Sequence, residues 1–435
     1  MGSARTAERA FFPLDDELAL LPGTLTPSLQ EDLVHLGAWM PFGRAAQELQ
    51  RFRLVNVTRP TVERLTEAAG AAYVAYQTAE AARIQRELPV PPAGPAKQFM
   101  SVDGAMVPLV GGEWAEVKTL VIGEVAAPVL EKDELVVHTT QHSYFSRLTD
   151  AETFQQLAVV ETQRRGVETA QAVAAVTDGS EWIQKFIDHH RYDAVRILDF
   201  PHAAEHLSAA GQLVFGEGTA PALSWLTEQL HCLKHDGPQS VLAAVQDLVR
   251  QRPADSTLAT HLAYLEKRTA HLQYPTFQQR GWPIGDGAVE SGNKLVVEAR
   301  LKGSGMHWAR PHVDPMLALR NIACSDRWEE AWPQIADVQR RQAYQRRRAR
   351  HEKRHQPLTV LTPSTMNPAE ATVPAPVPAA PVRAVDAKPQ PSPSPAQSQT
   401  NSAVPWRPPA DHPWRHMPIG RARFRSPVRR EDANS

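Results

Sequence analysis

The chain has 435 residues, with 47 Lys plus Arg against 48 Asp plus Glu and a formal net charge of −1. That balance excludes a uniformly basic chromatin-type protein but leaves room for local basic patches. The two cysteines, Cys232 and Cys324, stand far apart without a Cys-x-x-Cys pair. This excludes a disulfide scaffold or a cysteine-built zinc module and fits a reducing compartment. Neither a signal peptide nor a run of about 18 apolar residues is present, so a soluble intracellular protein is expected.

Residues 1–88 read as a helical region. Ser28 and Glu31 can form a capping box behind Pro27, FGRAAQELQRF (42–52) gives a second helix, and Thr58 and Pro60 open a third, with Gly70 at its end or interrupting it. Two short helices before a third, with Arg59 and Arg64 near its start, suggest a helix-turn-helix or a small helical bundle. A Pro-rich linker, 89–97, leads into an α/β region over 98–202. There QFMSVDGAMVPLV, WAEVKTLVIGEV and ELVVHTTQHSYF read as three strands in meander order. TDAETFQQLAVVETQRRG follows as a helix with Thr149 as a candidate cap, then a strand ending at Asp178-Gly179, a helix EWIQKFIDHH, and a strand ending at Asp199. Residues 203–274 are helical in texture throughout, an all-helical insertion. Residues 275–335 resume the α/β region with GWPIGDGA and the helical VESGNKLVVEARLKG. A basic segment, 336–355, carries eight Lys or Arg and one acid between 340 and 355, including Arg346, Arg347 and Arg348. The Pro-, Ala- and Ser-rich 356–435, basic again at RARFRSPVRR, is expected to be disordered. The basic runs are either a solvated face or a phosphate-binding arm.

The acids carry the chemistry. Asp103 interrupts an apolar strand, where a carboxylate is costly unless paired or bound to a cation; alternatively Asp103-Gly104 marks a strand-end turn. Asp178 also precedes a glycine, and Glu290 lies near a helix start, where the helix dipole alone favours an acid. Together they are two strand acids and one helix acid on a ribonuclease-H-like order of elements, the donor set that two hard divalent cations need for phosphodiester chemistry. Asp199, which also ends a strand, competes with Asp178 as the second ligand, and Glu298 with Glu290 as the third. His202 and His206, four apart, are a weaker zinc pair. Trp182, Trp225, Trp282 and Trp308 read as core, with base stacking as the other reading of Trp225. Arg300 and Lys302 flank a glycine loop (Gly303, Gly305) that suits a phosphate contact or a plain helix end.

The stretches FMSVDGAMVPLVGGEWAEVKTLVIGEV, VTDGSEWI, RILDFPHAAEHL, GWPIGDGAVESGNKLVVEARLKGSGMHW and DPMLALRNIACSDRWEEAW resemble DDE transposases of the Kra-type bacterial insertion-sequence family, related to the Mutator-like group, over roughly residues 10–335. The resemblance implies an α/β ribonuclease-H-like catalytic core with an all-helical insertion, a helical N-terminal region and a disordered C-terminal tail. Asp103, Asp178 and Glu290 would be the DDE triad holding two Mg²⁺, with Mn²⁺ as a substitute, and Asp199 and His202 the acid-x-x-His motif of the Mutator-like group. It further implies DNA ends and target DNA as partners, a homo-oligomer in a synaptic complex, no membrane, and a bacterial cytoplasmic, nucleoid-associated location. Family members carry a cysteine-rich segment ahead of the FFPLDDELAL region, and this chain has no Cys there. The rival functions are a transposase-derived protein that only binds DNA and a metal-dependent nuclease without strand transfer.

Overall fold

In a computed structural model that describes residues 20–131 and 134–355, the described part opens with three helices: α1 (Pro27–Trp39), α2 (Phe42–Arg53) and α3 (Arg59–Glu87). Thr26, not Ser28, caps α1: its hydroxyl accepts from the Leu29 N–H at 3.4 Å, with Pro27 in the first turn. The expected Ser28–Glu31 box does not form, because Glu31 accepts the indole N–H of Trp328 instead. Thr58 and Pro60 do start α3. That helix runs on through Gly70, where an added Cβ would overlap the Pro315 carbonyl of a crossing helix, α14 (Arg310–Cys324). Gly70 is thus a close-packing position and not a stop.

A five-stranded mixed sheet follows, ordered β5-β2-β1-β6-β7. Its strands are β1 (Lys97–Pro108), β2 (Trp114–Val125), β5 (Thr139–Arg147), β6 (Ala172–Thr177) and β7 (Val195–Leu198). β5, β2 and β1 run antiparallel to their neighbours, whereas β1, β6 and β7 are parallel. The single strand expected over 134–145 is divided. β4 (Glu134–Val136) pairs only with β3 (Val129–Glu131), and β5 joins the sheet after a register shift between Ile122 and Glu124, with Gln141 at positive φ. Helices α4 (Ala151–Leu157), α5 (Val159–Arg164) and α6 (Glu181–Arg191) complete this part; Asp150, not Thr149, caps α4.

From Phe200 to Gln279 the chain is helical, without a strand: α7 (Phe200–Phe215), α8 (Ala220–His235), α9 (Pro238–Gln251), α10 (Ser256–Lys267), a 3₁₀ turn and α11 (Tyr274–Gln279). The next helix starts as α12 (Gly287–Gly292), widens to i→i+5 bonding over Asn293–Glu298 and closes as α13 (Ala299–Leu301). α14 and α15 (Trp328–His355) end the described chain.

Strand alternation divides the burial. Met100, Val102, Leu120, Ile122, Val173 and Ala175 face one core with Phe145, Phe154 and Phe186. The opposite face is shared. Phe99, Ala174, Val176 and Ile197 pack under α7–α11, while Val107, Val117 and Val121 pack under α1–α3, α12, α14 and α15. Between those two apolar clusters the sheet surface turns polar. Among the described residues no helix is long and apolar enough to cross a membrane.

Candidate metal centre

Register builds the site. The parallel pairing of β1 with β6 has Met100 opposite Ala175, so Asp103 and Asp178, each three residues further along, stand at the same level. The parallel pairing of β6 with β7 ends at Thr177 opposite Leu198, which brings Asp199 to that level too. On the other side Asp103 is opposite Thr119, and Thr119 opposite Ser146, whose hydroxyl lies 3.0 Å from that of Thr119. One polar row therefore crosses all five strands, with Asp103 midway along β1 and Asp178 and Asp199 just past the C-terminal ends of β6 and β7.

Asp103 is held above the usual carboxylate range by burial, with the charge of Asp178 adding to the shift and the Gly104 N–H and Asn293 opposing it. Asn293 Nδ2 donates to Asp103 Oδ2 at 3.0 Å, while the Asn293 Oδ1 is buried with no hydrogen-bond partner. An orphan oxygen beside a half-buried carboxylate is a donor set for a hard cation or its water. Asp178 Oδ1 accepts from the Ser180 N–H at 2.8 Å, tying it into the turn that starts α6.

Asp199, fully buried, caps α7. Its Oδ2 accepts from the His202 N–H at 3.2 Å and meets His202 Nδ1 at 2.8 Å, and its Oδ1 accepts the Asp286 N–H at 2.8 Å. Ligand atoms of Asp199, His202 and Asp286 lie within 4.8 Å of one another, so this buried group could hold a metal ion. In the fold as it stands, those same atoms satisfy each other. Asp199 raises the proton affinity of His202 through their hydrogen bond; burial, and then the charge of Asp199, raises that of Asp286. By that register and the contacts of Asp199, the residues Asp103, Asp178, Asp199, His202 and Asp286 form one acidic cleft.

Glu290 is not drawn into that cleft. It is exposed and paired with Lys294 on the same helix, one turn before Asn293. Its helix packs on β1 and β2, so it stands at the rim on the cleft's side of the sheet. Glu298 pairs with Lys302 at 2.6 Å.

The basic residues separate sharply. Arg59, Arg64, Arg346 and Arg347 are exposed, as is Arg348, on α3 and α15. Arg300 corrects the sequence reading: it is 2% exposed, donates to the Gly37 carbonyl at 3.1 Å and stacks over Phe42 and Trp308 at 4.7 and 5.1 Å. A guanidinium spent on backbone and aromatic rings in the core cannot serve as a phosphate contact. Lys302 is half-buried and held by Glu298. His206 does not join His202; it stacks on Tyr264 and meets His261 Nδ1 at 2.9 Å. Trp225 packs against Phe215 and the Gly211 backbone.

Sequence reasoning passes over Asp286 and Asn293. Both stand in IGDGAVESGNK, one as an acid between two glycines, the other as an amide one helical turn past an acid. No protein-family model matches the chain, and no curated protein matches it significantly.

Proposed function

We propose that the chain is a metal-dependent DNA strand-cleavage and strand-transfer enzyme, a transposase of the Kra-type DDE kind on a ribonuclease-H-like core. The observation that carries this reading is the in-register placement of Asp103 on β1 and Asp178 just past the end of the parallel β6, with the orphan Asn293 oxygen beside Asp103. A sheet of three antiparallel strands continued by two parallel ones, with one acid midway along β1 and one just past the end of each of β6 and β7, supports the ribonuclease-H-like reading.

Asp103, Asp178 and, swung in from the rim, Glu290 would hold Mg²⁺, for which Mn²⁺ would substitute. Bound there, divalent cations would neutralise charge on the scissile phosphate and acidify the attacking water or 3′-hydroxyl. The chain's own part is positioning. β1 and β6 fix two carboxylates, Asn293 orients Asp103, and the internally satisfied Asp199–His202–Asp286 group braces the floor. Arg59, Arg64 and the exposed face of α15 would bind the phosphate backbone of element ends and target DNA, in a homo-oligomer that pairs two ends, with the protein located in the bacterial nucleoid.

The mutual proximity of Asp199, His202 and Asp286 favours one second reading, in which Asp199 and not Asp178 holds the ion. Incubation of the protein with Mg²⁺ or Mn²⁺ and a plasmid carrying the element's ends tests both. We expect nicks at the ends and joined products, lost in Asp103→Asn and Asp178→Asn and retained at a reduced rate in Asp199→Asn. Cutting without joining would reduce the function to a nuclease, and binding alone would refute catalysis. Loss of cation binding and cleavage in Asp199→Asn, with Asp178→Asn active, would transfer the second ligand to Asp199.

A further inference from the structure

The turn that carries Asp178 is gripped from outside the sheet. Where β6 runs past its last pair, the carbonyls of Asp178 and Gly179 have no ladder partner and need donors from elsewhere. The helical block 200–279 supplies them. Tyr264, on α10, donates its hydroxyl to the Asp178 carbonyl, and Arg268 donates Nε and Nη2 to the Gly179 carbonyl at 3.2 and 2.7 Å. The two side chains are a unit: the Arg268 guanidinium lies 3.6 Å from the centre of the Tyr264 ring, and Arg268 also bonds the Tyr264 carbonyl at 3.1 Å. His206, on α7, stacks on Tyr264 with ring centres 3.7 Å apart and planes 7° from parallel. Gly179 is part of the fit. Its φ is +76°, and a Cβ there would come within 2.5 Å of Arg268 Nε.

We infer that Tyr264 and Arg268 are positioning residues that set the Asp178 carboxylate for cation binding by clamping the backbone of its turn. The inference rests on reading Asp178 as a cation ligand. It gives the helical block a role beyond covering apolar sheet surface. Tyr274 repeats the device on the next strand, donating its hydroxyl to the Leu198 carbonyl at 2.9 Å just before Asp199. Neither clamp residue touches the carboxylate, so their effect is on its aim. The Ser180 N–H already holds one Asp178 oxygen, and a turn free to rock would move the other.

Calorimetric titration of the full-length protein with Mn²⁺, without DNA, tests this apart from activity. Parent protein should bind Mn²⁺ and Asp178→Asn should not. Tyr264→Phe keeps the stack and loses the hydroxyl; Arg268→Lys keeps the charge and loses the fork. Both should weaken Mn²⁺ binding about 10-fold or more, as removal of a ligand's supporting hydrogen bonds does. Thr260→Ala, at an exposed site on the same helix, should leave it unchanged, and all variants should keep the parent's far-UV circular dichroism. Parent-like affinity in both clamp variants, with Asp178→Asn silent, would overturn the clamp and spare the site. An equal loss in Thr260→Ala would reduce the effect to general loosening of α10. Parent-like binding by Asp178→Asn would overturn the cation reading and the clamp with it.

Discussion

The two helical blocks on one face of the sheet use the same chemistry to different ends. In both, arginines stacked on aromatic rings donate to backbone carbonyls that secondary structure leaves unpaired. Under α1–α3 two targets lie in the last turn of α1: Arg300 bonds the Gly37 carbonyl, and Arg320, stacked over Trp39 and also bonded to the Leu295 and Val296 carbonyls, reaches the Ala38 carbonyl at 3.5 Å. The Gly37 and Ala38 carbonyls have no intrahelical partner, and a cation at a helix C-terminus is favourable. In the block 200–279, Arg268 with Tyr264, and Tyr274 alone, reach the turns that carry Asp178 and Asp199. One block spends its donors on holding a helix. The other spends them on holding the acids.

The comparison breaks most visibly at the acids. On the proposed function, Asp103→Asn and Asp178→Asn should lower the end-cleavage rate at least about 1,000-fold, since each would remove a cation ligand, and should leave DNA affinity unchanged or slightly higher. A gel-based cleavage and binding assay on the same preparations would show it; comparable losses in both readouts would point to misfolding.

On α15, Arg346→Gln, Arg347→Gln and, at the equally exposed Arg350, Arg350→Gln together should flatten the salt dependence of the proposed DNA binding. The slope of log K against log salt should change by about 0.9 for each duplex phosphate left without its cation, so by roughly two to three units if all three arginines bind phosphate. Fluorescence anisotropy across a salt series reads the slope, and an unchanged slope would make α15 a merely solvated helix.

Arg300→Ala should do the opposite. Losing a buried guanidinium that caps α1 and stacks on Phe42 and Trp308 should cost about 2–4 kcal/mol of stability, while the salt slope stays that of the parent. Urea unfolding measures the first. A reduced slope would restore Arg300 as a phosphate contact.

The smallest effect is a pH dependence on the sheet's other face. His190 on α6 is held neutral by burial, its pKa lowered to about 3, with ring nitrogens engaged by the Gln155 carbonyl and the Thr162 hydroxyl. Its folded pKa lies below the unfolded value near 6.5, so its contribution to stability is complete above that pH. Below it, the unfolded chain takes up a proton that the folded chain refuses, costing up to about 1.4 kcal/mol per pH unit. His190→Asn should lessen the fall in melting temperature between pH 6.5 and 5, and a fall identical to the parent's would assign it to other groups.

Much of the helix and strand content was legible because apolar periodicity is local: the alternation in WAEVKTLVIGEV is β2, and the strand in AVRILDF stops at Leu198, one residue before the acid read as its end. Caps slipped by one or two positions, to Thr26 and Asp150, since neighbouring hydroxyls and carboxylates compete for the same N–H groups. The division of the strand over 134–145 depends on a bulge against β2, a partner that no local window contains. Asp103 stood out as a charge in an apolar strand. Asp286 and Asn293 did not, because their meaning comes from Asp199 and Asp103, 87 and 190 positions away. Arg300 misled for a related reason: a basic residue beside a glycine loop reads as a surface contact until Phe42 and Trp308 are known to flank it.

The proposed cation site at Asp103 and Asp178 can be located by iron-mediated backbone cleavage. Full-length protein loaded with Fe²⁺ and treated with ascorbate and peroxide cuts its own chain next to the bound ion. Fragments mapped by mass spectrometry should end near Asp103 and Asp178, with a weaker set near Glu290, and all should fade as Mg²⁺ competes. Cuts confined to the neighbourhood of Asp199, His202 and Asp286, or a pattern that Mg²⁺ leaves unchanged, would contradict the account.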